Sequence, residues 1–135
     1  RGYFLIIGGN TGLCLDVNGN SESKSDGNPV QLWDCHGGGN QLWKLTYNES
    51  DGAIRINSDL CLTVNGTVTL YSCDGTDKGN DNQKWEVNKD GTIRNPKNSK
   101  KGVDSGLCLD VKDGNKVQLW TCNGSDAPNQ KWIFE

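Results

Sequence analysis

Two aspartates, Asp16 and Asp110, occupy the same place in a repeated segment, Cys14-Leu15-Asp16-Val17 and Cys108-Leu109-Asp110-Val111. An Asp between Leu and Val in an alternating run is poor strand material, so a role beyond structure is the expectation for both. A carboxylate there can accept two hydroxyl hydrogen bonds with charge assistance. Downstream of each lies a Val-Gln-Leu-Trp run, Val30 to Trp33 and Val117 to Trp120. It carries an amide, Gln31 or Gln118, and a flat indole, Trp33 or Trp120, whose π-face suits an apolar patch. Farther on, Asn40 and Asn129, each followed by a Gln (Gln41, Gln130), add amides that can donate and accept at one ligand group. Carboxylate, amide and indole in fixed order are materials for binding a hydroxyl-bearing ligand.

They are not materials for catalysis. A glycosidase needs two carboxylates roughly 5–10 Å apart across one bond, whereas Asp16 and Asp110 belong to different repeats and are expected on separate faces. The single histidine, His36, has no Ser–His–Asp set around it. It also lacks a second ligand for zinc, and the chain holds no Cys-x-x-Cys. Asp74, Asp77 and Asp81 lack the spacing of a calcium loop and read as an acidic turn. No catalytic residue, metal or cofactor is expected.

The elements that must position these residues recur three times. Gln41-Leu42-Trp43, Gln83-Lys84-Trp85 and Gln130-Lys131-Trp132 each follow an Asn (Asn40, Asn82, Asn129), and the first cysteines stand at 14, 61 and 108, a constant period of 47. Such a period marks one unit in three copies. A chain of 135 residues is one domain by size. The expected organisation is therefore a single domain, 1-135, with repeats of about 1-47, 48-92 and 93-135 sharing one core.

Within each repeat, short alternating runs are separated by Gly, Asn and Asp, and no helical period appears. Asn65-Gly66 and Asp113-Gly114-Asn115 sit where hairpin turns belong, while the first repeat carries a longer polar insertion, Asn18 to Pro29. The fold class is all-β. Three units of about four strands, each too small for its own core, predict pseudo-threefold closure into a barrel with a hairpin cap. Trp43, Trp85 and Trp132 are expected in the shared core. Trp33 and Trp120 alternate with Leu32 and Leu119 and should face outward.

Bulk composition excludes other partners. The net charge is -3, which opposes a phosphate-driven nucleic-acid interface; Lys97, Lys100 and Lys101 read as a solvated loop. No apolar run approaches the roughly 20 residues of a membrane span. Six cysteines allow 15 pairings, of which the repeat symmetry favours Cys14–Cys35, Cys61–Cys73 and Cys108–Cys122, each worth ~3 kcal/mol. Such bridges imply an oxidising compartment and a secreted protein. Asn48, Asn65 and Asn123 begin glycosylation sequons, as in a glycoprotein. The chain begins at Arg1 and has no Met, as a mature or excised piece would.

The triple Gln-x-Trp, the three Cys-Leu-Asp/Thr-Val segments and the cysteine pair in each repeat make the whole chain resemble a ricin B-type lectin domain, the β-trefoil also classed as a family 13 carbohydrate-binding module. Cys35-His36-Gly37-Gly38-Gly39-Asn40-Gln41 and Ile54-Arg55 also resemble the lectin domains of mucin-type GalNAc-transferases. The resemblance implies one sugar site per repeat. It assigns Asp16, Gln31, Trp33, Asn40 and Gln41 to the first site, and Asp110, Gln118, Trp120, Asn129 and Gln130 to the third. Chemistry agrees, since a pyranose pairs vicinal hydroxyls with one C–H face. Gln41 and Gln130 are expected to orient the Asp rather than touch the ligand. The second repeat departs, with Thr63, Thr69 and Tyr71 in place of Asp, Gln and Trp beside a retained Asn82 and Gln83, so its site is expected to be weak or dead. The implied partner is a glycan, most commonly of galactose or GalNAc type. A module of a secreted glycosidase or glycosyltransferase is the alternative, and a larger parent chain or a homo-oligomer stays open. β-Trefoil protease inhibitors and growth factors lack the triple Gln-x-Trp.

Overall fold

A computed structural model describes residues 2–18, 26–45, 52–56, 60–73, 81–95, 106–123 and 127–135. Its regular structure is strand and short 3₁₀ turn, as expected for an all-β chain. In chain order the described strands are β1 (Tyr3–Phe4), β2 (Ile6–Gly8), β3 (Cys14–Val17), β4 (Val30–Trp33), β5 (Trp43–Leu45), β6 (Ile54–Ile56), β7 (Leu60–Asn65), β8 (Thr67–Ser72), β9 (Glu86–Val87), β10 (Ile93–Asn95), β11 (Leu107–Lys112), β12 (Lys116–Trp120) and β13 (Trp132–Phe134). The 3₁₀ turns are Gly39–Gln41, Asp81–Gln83 and Pro128–Gln130, each holding the Asn-Gln of one repeat. None of the described helices is long and apolar enough to cross a membrane.

The strands form three antiparallel sheets, ordered β1-β5-β6-β7-β8, β13-β2-β3-β4 and β12-β11-β10-β9. Chain ends close the structure: β13 pairs with β2, and Leu5 and Glu135 exchange backbone hydrogen bonds of 3.3 and 3.0 Å.

Equivalent hairpins share one register. Asp16 faces Gln31, Thr63 faces Thr69 and Asp110 faces Gln118. One step back, Cys14, Cys61 and Cys108 face Trp33, Tyr71 and Trp120. Because alternate residues share a face, each outer face carries the cysteine, the polar pair and the aromatic, while Leu15, Leu62 and Leu109 turn inward and are fully buried.

The inward residues make one core from all three repeats, including Ile6, Leu32, Ile54, Leu70 and Ile93. Trp43, Trp85 and Trp132 lie in it, at 0%, 5% and 3% exposure. A buried indole N–H needs an acceptor, and the threefold pattern supplies it. The three indoles donate to the backbone oxygens of Leu15, Leu62 and Leu109, each at 3.0 Å. Each Gln-x-Trp tryptophan is thus fastened to the hairpin strand that carries the Asp or Thr of its own repeat.

The turns are built as their glycines allow. Asn65 stays in the ladder opposite Thr67, so the tip is Gly66 alone, with φ 78°, a tighter turn than the two-residue Asn-Gly hairpin expected. Asp113 and Gly114 take φ 54° and 81° between β11 and β12. The end of the first-repeat insertion lies on the second repeat: Gly27 donates to Leu70 O at 2.6 Å and Leu70 to Asn28 O at 2.9 Å. Asp26 Oδ1 accepts from the Ser72 amide and hydroxyl.

Disulfides join Cys14–Cys35, Cys61–Cys73 and Cys108–Cys122, with Cα separations of 5.1, 5.2 and 5.1 Å. Each ties the start of a hairpin's first strand to the loop after its second. Removing one as Cys108→Ser/Cys122→Ser is expected to lower the unfolding free energy in a urea titration by about 3 kcal/mol. Lys97, Lys100, Lys101, Asn48, Asp74, Asp77 and the side chains of Asn65 and Asp81 lie outside the described residues.

Candidate functional site

The first-repeat hairpin carries Asp16 on β3 and Gln31 and Trp33 on β4, and the 3₁₀ turn Gly39–Gln41 brings Asn40 and Gln41 beneath it. The Asp16 carboxylate is 2% exposed, and amides fix both of its oxygens. Gln31 Nε2 donates to Oδ1 at 3.2 Å, while Gln41 Nε2 and Asn40 Nδ2 donate to Oδ2 at 2.8 and 3.3 Å. Burying a carboxylate is costly unless its charge is hydrogen-bonded; here neutral amides do that, and none cancels the charge.

Those amides are held in turn. Asn40 Nδ2 also reaches Val17 O at 3.1 Å, and Gln41 Nε2 reaches Asp34 O at 2.8 Å. Gln41 Oε1 accepts from the His36 and Gly37 amides at 2.8 and 3.1 Å. Gln41 is fully buried, and its amide is committed to protein atoms. It positions Asp16 and the loop after Cys35.

Asp16, Asn18, Gln31, Trp33, His36 and Asn40 line an open cleft of about 430 Å³. Trp33 forms a wall and is 56% exposed. Two lining residues, Asn18 and His36, were not among the sequence-derived ligands. Asn18 is two residues beyond Asp16 and so shares its strand face, a signal available from the alternation. His36 is brought in by the loop behind Cys35. Its Nδ1 accepts from the Gly38 amide at 3.0 Å, which leaves the ring proton on Nε2, 3.8 Å from Asp16 Oδ2.

The third repeat rebuilds the arrangement. Asp110 is 3% exposed and Trp120 56%. Gln118 Nε2 donates to Oδ1 at 3.0 Å, and Asn129 Nδ2 and Gln130 Nε2 donate to Oδ2 at 3.1 and 2.9 Å. Gln130 also donates to Thr121 O and accepts from the Asn123 amide, at 2.8 and 2.9 Å. Asn123 therefore takes the place of His36. In both repeats three donors are already on the carboxylate, two on Oδ2 and one on Oδ1. Of its about four lone-pair sites one remains, on Oδ1. That is room for one charge-assisted bond where the residue types alone implied two.

The second repeat lacks the charge. Thr63 is 2% exposed and its hydroxyl is engaged within the protein, donating to Cys61 O at 2.9 Å and accepting from Gln83 Nε2 at 3.1 Å. Gln83 also donates to Ser72 O at 3.0 Å, so the Gln keeps its supporting place with no carboxylate to orient. The Thr69 hydroxyl and the Asn82 amide oxygen are buried with no hydrogen-bond partner among the described residues. Tyr71 remains 39% exposed.

Comparison with known proteins gives the same repeat a name. A family model described as "Ricin-type beta-trefoil lectin domain" matches residues 2–106, and one described as "Ricin-type beta-trefoil lectin domain-like" matches residues 81–135. Polypeptide N-acetylgalactosaminyltransferase 6 of Bos taurus is 40% identical over 126 residues, covering 90% of this chain and 18% of that protein. The agglutinin of Ricinus communis is 36% identical over 135 residues, covering 94% and 21%. The chain thus spans about a fifth of the length of these curated relatives. Among solved structures, the β-trefoil lectin of the Vibrio vulnificus hemolysin/cytolysin, with N-acetyl-D-lactosamine bound, has a TM-score of 0.75 at 29% identity over 98% of this chain and 93% of that one. With its all-β architecture, its threefold hairpins and a family match over most of its length, the chain belongs to the ricin-type β-trefoil lectin domain family.

Proposed function

We propose that this chain binds glycans as a lectin module, holding one sugar residue of galactose or GalNAc type in the first repeat and another in the third. One observation carries the reading. The same buried carboxylate, held by three amides beside an outward indole, occurs twice in equivalent places. A well-packed apolar residue would often serve stability as well as a buried charge and its amide cradle, so the presence of this arrangement in duplicate supports its reading as an acceptor for ligand hydroxyls. The open lone pair of Asp16 or Asp110 takes one hydroxyl, the neighbouring Gln and Asn amides address the adjacent one, and Trp33 or Trp120 stacks on the C–H face.

As a lectin module it binds its ligand rather than transforming it; among the described residues Asp16 is the one carboxylate lining the first-repeat cleft, where glycoside hydrolysis uses two. The second repeat contributes little, since Thr63 has spent its hydroxyl on the backbone and Gln83. Three disulfides suit an oxidising compartment, so the protein is secreted or faces the lumen of the secretory route, free or as the targeting module of a longer enzyme or toxin. Asn123 is exposed beside the third site, where a glycan attached to it would crowd an incoming sugar.

The test is a titration with N-acetyllactosamine and with GalNAc, followed through the indole N–H signals of the five tryptophans. Trp33 and Trp120 are expected to shift together with ligand, at dissociation constants on the order of millimolar, while Trp43, Trp85 and Trp132 stay in place. Shifts confined to the core indoles, or none with either sugar, would count against the reading.

A further inference from the structure

We propose that the third-repeat site reads an anionic group, a carboxylate or a sulfate ester, carried by the glycan next to the sugar that Asp110 holds, and that Lys112 and Lys116 are the residues that read it. The inference rests on the assignment of Asp110 as a sugar anchor.

In the β11–β12 ladder Cys108 faces Trp120, Asp110 faces Gln118 and Lys112 faces Lys116. These alternate pairs share one face. Along it stand, in order, the indole, the carboxylate–amide pair and two ammonium groups. Lys112 is two residues past Asp110, about 7 Å along the strand, within reach of a group attached to a sugar held at Asp110.

The first repeat shows that this position belongs to the cleft. Asn18, two residues past Asp16, lines it, and its cross-strand neighbour is Pro29, joined by a 2.9 Å bond from Asn18 N to Pro29 O. The second repeat has Asn65 facing Thr67 there. Only the third carries cations at both positions.

The pair is also unfavourable as it stands. Like charges directly opposite on neighbouring strands repel, and both lysines are exposed. Neither has an ion-pair partner among the described residues; Asp113, in the turn between them, forms none. A bound anion would relieve that repulsion. Because the whole chain is acidic, at -3, the preference is local and does not make the protein a general polyanion binder.

The experiment uses the Asp16→Ala chain, which leaves the third site alone, and follows the Trp120 indole signal with three probes: N-acetyllactosamine, its sialylated form and its 6-O-sulfated form. In 50 mM NaCl at least one anionic probe is expected to bind about 3- to 10-fold tighter than the neutral one, the scale of two exposed charge contacts. That ratio should fall toward 1 in the Lys112→Gln/Lys116→Gln variant and shrink in 500 mM NaCl. Whether the sialylated or the sulfated probe gains more identifies the anion. Trp120 shifts with equal affinity for all three probes would overturn the lysine inference and leave the sugar site standing, as would an anionic advantage that survives the Gln variant. Absence of any Trp120 shift would overturn the third site itself, and the inference with it.

Discussion

The Asp16→Ala/Asp110→Ala double variant is expected to show no measurable glycan binding, while either single change leaves a molecule that binds free sugar at one site and loses most of its avidity for a multivalent surface. Single open sugar sites are worth only ~4 kcal/mol, a dissociation constant on the order of millimolar. Hydrogen bonds to a charged group contribute about 1.5–3 kcal/mol, so the carboxylate supplies a large share of that total and its loss carries the site past detection. Two sites on one rigid body can gain roughly 10²-fold or more from simultaneous engagement, and one site retains none of it. The control is stability. Removing Asp16 strands the Gln31, Gln41 and Asn40 donors that point at it, at a cost of about 1–3 kcal/mol, so thermal melts must show that the variant is still folded at the assay temperature. Binding of a glycan array by a folded double variant at the level of the parent would sink the assignment of both sites.

Most of the frame was legible because the sequence repeats. The Cys-Leu-Asp/Thr-Val segments, the Val-x-Leu-aromatic runs and the Gln-x-Trp tripeptides each fall at one structural position, so aligning them in sequence already aligned the hairpins in space. The outward turn of Trp33 and Trp120 followed from alternation with Leu32 and Leu119. What stayed hidden were contacts that no period encodes. His36 enters the first cleft because the loop after Cys35 folds back over Asp16, and a lone histidine between Cys and three glycines gives no sign of that. The occupation of the carboxylate by three amides was equally illegible, since a residue's type says what it can accept and not what it has already accepted. The landing of Asp26 on Ser72 joins residues of different repeats across a polar stretch without pattern. In the second repeat, Thr63 announces the loss of charge, but the commitment of its hydroxyl to Cys61 O and Gln83 arises only in the folded chain.

Two tryptophans ten residues apart should fail in opposite ways when truncated. Trp43→Ala is expected to destabilise the fold by about 3–5 kcal/mol, the usual range for deleting a fully buried large aromatic. Its indole is wholly enclosed, and its N–H bond to Leu15 O at 3.0 Å would leave a buried carbonyl without that partner. A domain of this size has roughly 5–15 kcal/mol in all, so the variant sits at the edge of folding and is rescued only in part by the three disulfides. Trp33→Ala removes an indole that is 56% exposed and should change stability by no more than about 0.5 kcal/mol. Its loss should instead weaken sugar binding at the first site, because Trp33 is the one indole among the described residues that line the cleft. Urea unfolding of both variants, paired with a sugar titration of each folded protein, separates the roles. A stable Trp43→Ala protein would mean that the Gln-x-Trp indoles do not hold the core together, and an unchanged first-site affinity in Trp33→Ala would remove the indole from the binding surface. Because Trp85 and Trp132 repeat the Trp43 bond at 3.0 Å, their alanine variants should follow it. Trp120→Ala should follow Trp33→Ala, this time at the third site.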